Sequence, residues 1–115
     1  MNVKEFAERF NLHVAAGQKE LQRQIRGGYC GDLLSDVMAN APTGCIWLTV
    51  QTHQNIVNVA VLHEMAAIVL TGGRTPDPET VARANQEGIP LLMWPDSAYS
   101  LAGQAFAAGL VNQAG

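Results

Sequence analysis

Apolar positions near the start of the chain follow a helical pattern. Val3, Phe6 and Phe10 recur at intervals of three and four residues, which is the spacing of one helix face. Asn2 precedes this segment and Glu5 follows three positions later, a pattern typical of a capping box. The sequence therefore predicts a short amphipathic helix at the N-terminus.

The rest of the chain alternates between compact apolar runs and segments with helical spacing. Residues 45–50, 67–70 and 89–94 form short apolar runs, and they predict buried strands. Helices are predicted to begin at Asp32, near Asn55, at Asp77, and at Asp96 or Ser97. Strands that alternate with helices of this length predict right-handed βαβ crossovers and a three-layer α/β fold with a mostly parallel sheet.

Length and charge limit what such a fold can do. The chain has 115 residues, of which 48% are hydrophobic, and we expect one domain over residues 1–115. Seven Lys and Arg residues face ten Asp and Glu residues, which gives a formal net charge of −3. The basic surface of a duplex-DNA binder is missing, so nucleic acid is excluded as an expected partner.

Charged side chains are distributed unevenly along the chain. None occurs between Asp36 and Glu64, and none follows Asp96. Because a small soluble domain usually carries charge on every exposed face, we expect these stretches to be buried in the core or against another subunit. The first residues lack the pattern of a signal peptide and no apolar run is long enough to span a membrane, so a cytoplasmic protein without a membrane contact is expected.

The candidate ligand site follows from the predicted topology. In open α/β sheets, ligands bind beyond the carboxyl ends of the strands, and here those ends lead into loops near residues 31–35, 51–55, 71–77 and 95–97. The polar or glycine residues of these loops that we expect to bind a ligand are Thr52, His53, Asn55, Thr71, Gly72, Gly73 and Arg74, flanked by Asp32 and Ser35.

Each part of this candidate site also has a purely structural interpretation. His53 can donate to an anionic or carbonyl ligand, but it can equally bond to a backbone group while a neighbour caps the following helix. Arg74 can hold a phosphate or carboxylate, but Gly72 and Gly73 can also form a left-handed turn with Arg74 in solvent. The sequence is compatible with both interpretations.

Motifs of catalysis and cofactor binding are absent from the sequence. No P-loop, nucleophile elbow or H-E-x-x-H sequence occurs. Cys30 and Cys45 lie fifteen positions apart, outside any C-x-x-C motif, so neither a zinc module nor a disulfide framework is indicated. We therefore expect a protein that is not an enzyme and has no cofactor or metal. A small enzyme with His53 as general base is kept as an alternative.

Four segments together resemble a known family. Residues 31–38 (GDLLSDVM), 47–57 (WLTVQTHQNIV), 70–73 (LTGG) and 88–92 (GIPLL) are similar to a stand-alone DRTGG domain. Such domains occur between the two halves of some phosphotransacetylases and in CBS-containing pyrophosphatases. The resemblance implies an α/β regulatory or accessory domain that tends to self-associate, which makes a homodimer the expected state.

The opening residues extend the resemblance. Residues 11–25 are similar to the N-terminal domain of HPr kinase/phosphorylase, but the kinase chemistry of that family belongs to a separate P-loop domain that this sequence lacks. The Asp-Arg pair of DRTGG domains is also missing. Thr52 and His53 occupy the corresponding turn, whereas Thr71, Gly72 and Gly73 are retained.

Two functions of different kinds therefore stand beside the enzyme alternative. The leading hypothesis is a non-catalytic regulatory domain that binds a small anionic metabolite or nucleotide at its strand-end loops and modulates a partner protein. The second is a ligand-free homodimeric scaffold that docks onto an enzyme of energy metabolism, such as a hydrogenase complex. Short relatives of the resembled type are often encoded beside iron-only hydrogenase components, which makes that enzyme a candidate partner.

Overall fold

A five-stranded sheet between two layers of helices forms the part of the chain that the computed structural model describes, residues 1–112. The strands are β1 (His13–Ala16), β2 (Gly27–Cys30), β3 (Cys45–Thr49), β4 (Ala67–Leu70) and β5 (Leu91–Met93). The helices are α1 (Val3–Arg9), α2 (Leu34–Asn40), α3 (Asn55–Leu62), α4 (Pro78–Glu87) and α5 (Ala98–Ala107). A single 3-10 turn, Gln18–Glu20, follows β1.

The strand order in the sheet is β1-β5-β4-β3-β2. Strands β2 to β5 run parallel to one another, whereas β1 pairs antiparallel with β5, with His13 opposite Met93. The mostly parallel α/β sheet predicted from the sequence is confirmed. Because four parallel strands end at the same side, residues 31–33, 50–54, 71–77 and 94–97 lie along one border of the sheet, which we call the strand-end edge.

Both faces of the sheet are covered, which explains why its central strands are apolar at every position. In β3, Ile46 and Leu48 face α1 and α5, whereas Cys45 and Trp47 face α2, α3 and α4. All five residues of β3 and all four of β4 are buried. A strand enclosed in this way needs apolar side chains on both faces, and the predicted three-layer arrangement is confirmed.

Several helix ends lie where the sequence places them. The Asn2 side chain accepts from the Glu5 N–H at 2.8 Å and the Glu5 carboxylate accepts from the Asn2 N–H at 2.9 Å, so the predicted capping box is present. The Ser97 hydroxyl accepts from the Ser100 N–H at 3.2 Å at the start of α5. Helix α4 begins at Pro78 and ends before Gly88, whose φ of 68° is left-handed.

Asp32 does not cap α2, contrary to the prediction from its position. The residue at the N-cap is Leu33, whose side chain makes no capping hydrogen bond, and the Asp32 carboxylate bonds instead to the end of β3. The prediction was wrong because a carboxylate placed beside a parallel strand end meets hydroxyl and amide donors that lie far away in the sequence.

The uncharged stretch after Asp96 is buried on one side only. Leu101 and Ala105 face the core, whereas Tyr99 and Phe106 are exposed, with 68% of Phe106 accessible. The core therefore accounts for part of this stretch, and its burial against another subunit stays a prediction. Within residues 1–112, no helix combines the length and apolar character needed to cross a membrane.

Candidate functional site

Asp32 fastens the loop after β2 to the end of β3. Its Oδ1 accepts from the Thr49 hydroxyl at 2.9 Å and from the Val50 N–H at 2.8 Å. The Gln51 side-chain amide in turn donates to the Asp32 carbonyl at 2.9 Å. Hydrogen bonds to an ionised carboxylate are among the stronger ones in proteins, so these contacts hold two neighbouring loops of the strand-end edge in one arrangement.

Trp47 anchors the same loop from the core. Its side chain is fully buried, and the indole Nε1 donates to the Gly31 carbonyl at 2.8 Å. A buried indole N–H needs an acceptor, and here that acceptor is the residue before Asp32. The position of Asp32 at the strand-end edge is therefore coupled to core packing.

Thr52 links the loops that follow β3 and β4. Its backbone carbonyl accepts from the Asp77 N–H at 3.2 Å and from the buried Thr80 hydroxyl at 2.6 Å. Since β3 and β4 are also neighbouring parallel strands, the turn that carries His53 and the turn that carries Gly72 and Gly73 emerge side by side. This juxtaposition follows from the parallel pairing of β3 with β4.

The glycine turn after β4 is left-handed at both positions. Gly72 has a φ of 74° and Gly73 a φ of 72°, backbone conformations that favour glycine. The Gly72 N–H donates to the Asp96 carbonyl at 2.7 Å, and the Gly73 N–H donates to the Trp94 carbonyl at 3.1 Å. These two amides therefore hold the loop after β5 and are already engaged.

Arg74 is the cation of this turn. It is exposed, and its Nη1 donates to the Thr71 carbonyl at 3.2 Å, which folds the side chain over Gly72. Asp32, Asp77 and Asp96 also belong to the strand-end edge. Carboxylates therefore outnumber guanidinium groups there, and Arg74 is the group of the turn that can attract a negatively charged ligand.

His53 is exposed at the beginning of α3. Its Nδ1 accepts from the Asn55 N–H at 3.3 Å, so the ring caps the first turn of the helix and Nε2 is the nitrogen that remains for a ligand. A general base needs a group that orients it, usually a carboxylate within hydrogen-bond distance. At His53 the partner of Nδ1 is the Asn55 N–H, which is a donor, and among the described residues no carboxylate forms a hydrogen bond with the ring.

The nine predicted site residues differ in what they can offer a ligand. Thr71 is almost fully buried, and its N–H donates to the Thr49 carbonyl at 3.0 Å. It therefore holds the end of β4 against β3 and does not itself face a ligand. Thr52 is half-buried. The remaining seven are exposed, namely Asp32, Ser35, His53, Asn55, Gly72, Gly73 and Arg74.

Two residues outside the predicted set of site residues also shape this edge, Gln51 and Thr80. The Gln51 side chain donates to the Asp32 carbonyl, and the Thr80 hydroxyl donates to the Thr52 carbonyl. In the sequence, each is recognisable only as a polar residue beside a buried strand or helix face, and this does not identify its distant partner. The partners are brought close by the order of the strands in the sheet.

Both cysteines are poor nucleophiles. Burial, together with the negative charge of Asp32, raises the pKa of the Cys30 thiol, and burial raises the pKa of Cys45 to about 11. Since the thiolate is the reactive form, neither thiol is activated near neutral pH. Within the described part of the chain, no group of three or more His, Cys, Asp or Glu side chains is placed to hold a metal ion.

Replacing Thr80 with valine tests the link between the two central loops. The side chain is fully buried, and the substitution keeps its shape but removes the hydroxyl donor to Thr52. We expect the free energy of unfolding to fall by about 1 kcal/mol, measured by urea denaturation, and the loop amides near Asp77 to exchange faster with deuterium. Thr75→Val in the loop before α4 is the control because Thr75 is exposed. Equal stability of both variants would show that the bond contributes nothing.

Comparison with protein-family models and with curated proteins finds no match to this sequence. Among solved structures, the chain is similar to the CBS and DRTGG domains of the regulatory region of Clostridium perfringens pyrophosphatase, complexed with the activator diadenosine tetraphosphate. The TM-score is 0.68 at 11% sequence identity, and the match covers 89% of this chain.

This similarity is one of fold. The matched region is 44% of the chain in that structure, so the present chain spans less than half of the length of that regulatory region. The resemblance to DRTGG-containing proteins, inferred from the sequence, is confirmed at the level of the fold, and the protein that shares the fold is a regulatory region.

Proposed function

We propose that this chain is a non-catalytic regulatory or accessory domain that binds a small anionic metabolite or nucleotide at the strand-end edge and thereby modulates a partner protein. The observation that carries the proposal is the pair of bonds to the Thr52 carbonyl, from Asp77 and Thr80. They hold the His53 and Arg74 loops next to each other at the carboxyl ends of parallel strands, where α/β folds bind their ligands.

The similar structure supports the same kind of role. The C. perfringens region is regulatory and was solved with a dinucleotide activator. We transfer from it only the class of function, a domain that responds to a phosphate-bearing small molecule.

The proposed roles of the site residues follow from their contacts. Arg74 acts as the electrostatic clamp, and His53 Nε2, the Thr52 hydroxyl and the Asn55 amide act as hydrogen-bond donors. Ser35 and Asp32 flank the ligand. Thr71, Gly72 and Gly73 hold the loops in position, since their N–H groups bond to Thr49, Asp96 and Trp94.

The acidic residues at the edge shape the ligand chemistry. Because Asp32, Asp77 and Asp96 accompany a single arginine there, a free polyanion meets repulsion as well as attraction. A phosphate chain that carries Mg²⁺ has less net negative charge, and Mg²⁺ is commonly held by phosphates together with carboxylates. The magnesium complex of a nucleotide is therefore the preferred form in this proposal.

Isothermal titration tests the site with ATP, diadenosine tetraphosphate and acetyl phosphate, each with and without Mg²⁺. We expect binding of at least one of them, and at least about tenfold weaker binding in Arg74→Ala and in His53→Ala, which corresponds to about 1.4 kcal/mol. A bound ligand should also raise the melting temperature, because it stabilises the folded state alone.

Two variants serve as matched controls. His63→Ala removes the histidine at the opposite end of α3. Arg26→Ala removes an exposed arginine that precedes β2 and whose side chain lies beside Gly44. Both should bind like the original chain. Binding that survives both Arg74→Ala and His53→Ala would place the ligand elsewhere and refute this site.

A second candidate function is a ligand-free homodimeric scaffold that docks an enzyme of energy metabolism, such as a hydrogenase complex. The observation in its favour is the apolar exposed surface of α5, which includes Phe106, together with the absence of charge after Asp96. Surfaces of this kind mark contact sites more often than solvated faces. Titrations that give no heat with any of the three ligands would favour this candidate.

A further inference from the structure

An apolar groove lies between α5 and the edge strand β2, on the face of the sheet opposite α2, α3 and α4. Its volume is about 430 Å³, which is the size of a cavity that holds a small molecule. Ile46, Leu48 and Ala105 form the buried floor, and Cys30 and Phe106 are exposed at its sides. We call this the α5 groove.

Gly28 of β2 leaves the α5 groove open along the strand. It lies beside Ile46 in the pairing of β2 with β3, and a Cβ atom at this position would meet the Ile46 side chain at an ordinary contact distance of 3.6 Å. A side chain therefore fits here without a clash. Its absence leaves the space above the sheet to a ligand.

A polar hollow adjoins the α5 groove at the side of the sheet where the strands begin. Leu110 and Val111 line both spaces. The hollow has a volume of about 660 Å³, and the polar side chains that line it belong to Gln24, Arg26 and Thr43. Within residues 1–112, none of these three side chains forms a hydrogen bond or an ion pair. All three are therefore available as donors to a ligand.

Arg26 is the one charged residue of the described chain that lines either space. Its methylene groups lie against Gly44, where a Cβ atom would be 3.0 Å from the Arg26 Cδ, so packing holds the base of the side chain in place. Glu64 lines a separate hollow on which Arg26 also borders, and no ion pair joins the two among the described residues. The groove and the polar hollow together therefore offer one positive charge next to an apolar channel.

We propose that the α5 groove and the polar hollow form one binding site for a monocarboxylic acid with an apolar chain, such as a medium-chain fatty acid. The apolar chain lies over Ile46 and Leu48, and the carboxylate faces Arg26. Charge complementarity favours this class of ligand, because a guanidinium group matches the two oxygens of a carboxylate. Burial of each methylene group in the groove adds to the affinity.

This site is separate from the strand-end edge. It lies where the strands begin, and no acidic residue within the described range lines it, whereas Asp32, Asp77 and Asp96 belong to the strand-end edge. The two sites therefore favour different ligands. The inference goes beyond the proposed function and does not rest on it.

Isothermal titration with hexanoate, octanoate and decanoate, each below its micelle concentration, tests the ligand class. We expect binding to tighten by up to about fourfold for each added CH₂ group, because the groove buries the chain. The uncharged probe 1-octanol should bind at least about tenfold more weakly than octanoate, because it lacks the carboxylate that pairs with Arg26. Affinity that is independent of chain length, or equal for octanoate and 1-octanol, would overturn the proposal.

Two variants address the two halves of the site. Gly28→Val fills the groove, and Arg26→Ala removes the charge from the polar hollow, so each should weaken octanoate binding by at least about tenfold. Arg26→Lys keeps the charge and should restore part of the affinity. Gly103→Ala is the control for adding a side chain at a glycine, since Gly103 lies outside the groove. Arg74→Ala is the control for removing an arginine.

Alkylation of Cys30 gives a readout on the original chain, which needs no variant to fold. Cys30 lines the groove and is exposed, whereas Cys45 is buried, so a maleimide added to the folded chain reports on Cys30. Saturating octanoate should slow this labelling several-fold. An unchanged labelling rate, or octanoate binding that is as tight in Gly28→Val and Arg26→Ala as in the original chain, would refute the site.

The outcome is separable from that of the strand-end edge. Arg26→Ala should leave the nucleotide titrations unchanged, and Arg74→Ala should leave octanoate binding unchanged. Failure of one proposal therefore does not mimic failure of the other.

Discussion

Trp47→Ala is expected to lower the free energy of unfolding by about 3–5 kcal/mol, which is the usual cost of removing a large buried aromatic side chain. Trp47 lies in the middle of β3, is 0% exposed and packs among the residues that face α2, α3 and α4. A domain of this size has about 5–15 kcal/mol of stability in total. Urea denaturation followed by circular dichroism measures the loss.

Trp47→Phe separates the two contributions of this residue. Phenylalanine keeps most of the buried ring but removes the Nε1 donor to the Gly31 carbonyl. We expect a smaller loss of stability, about 1–2 kcal/mol, together with faster amide exchange around Asp32. If Trp47→Phe destabilised the chain as much as Trp47→Ala, the ring's packing would not be the main contribution and this account would be wrong.

Gly17→Ala is expected to cost at least about 2 kcal/mol, because it combines backbone strain with a steric clash. Gly17 has a φ of 72° between β1 and the 3-10 turn. A Cβ atom there would lie 2.6 Å from the Pro90 nitrogen and closer still to the Ile89 carbonyl oxygen. Both are backbone atoms of the two residues that precede β5, so the clash is relieved only if the backbone that leads into the sheet shifts. The melting temperature measured by differential scanning calorimetry should fall accordingly.

Gly103→Ala is the control, and we expect it to raise the stability of the fold instead of lowering it. Gly103 lies inside α5, and a Cβ atom there would meet nothing within 4 Å. Since alanine is favoured over glycine inside a helix by about 0.5–1 kcal/mol, this variant should be slightly more stable than the original chain. A Gly17→Ala variant whose melting temperature is as high as that of Gly103→Ala would contradict the strain assigned to position 17.

Elements with local signals were predictable from the sequence. Helix α4 is the clearest example, because Asp77 and Pro78 suit its start and Gly88 suits its end. Strands β3 and β4 were predictable for a different reason. Each is a short apolar run between turn-forming residues, and enclosure on both faces leaves no polar position within it.

Strand β2 could not be predicted in the same way. It contains Gly27 and Gly28, which have little tendency to form strands, and it exists because it pairs with β3, with Tyr29 beside Trp47. The direction of β1 is a second example. Its alternating residues indicate a strand, but only the position of β5 decides that the pairing is antiparallel.

The candidate site was likewise predictable in part. The sequence identified the loops, because their positions follow from the order of strands and helices. It did not reveal that Asp96 and Trp94 occupy the amides of Gly72 and Gly73, or that Thr80 reaches Thr52. These bonds join residues whose distance along the chain carries no signal, and they decide which of the predicted donors remain free.

The pairing of β1 with β5 has a consequence for biosynthesis. On the ribosome, β1 is made well before β5, which is its neighbour in the strand order. Most of the domain must therefore leave the exit tunnel before β1 can dock. Until then its backbone amides are open to chaperones, so slowing translation after β4 should prolong chaperone capture of the nascent chain.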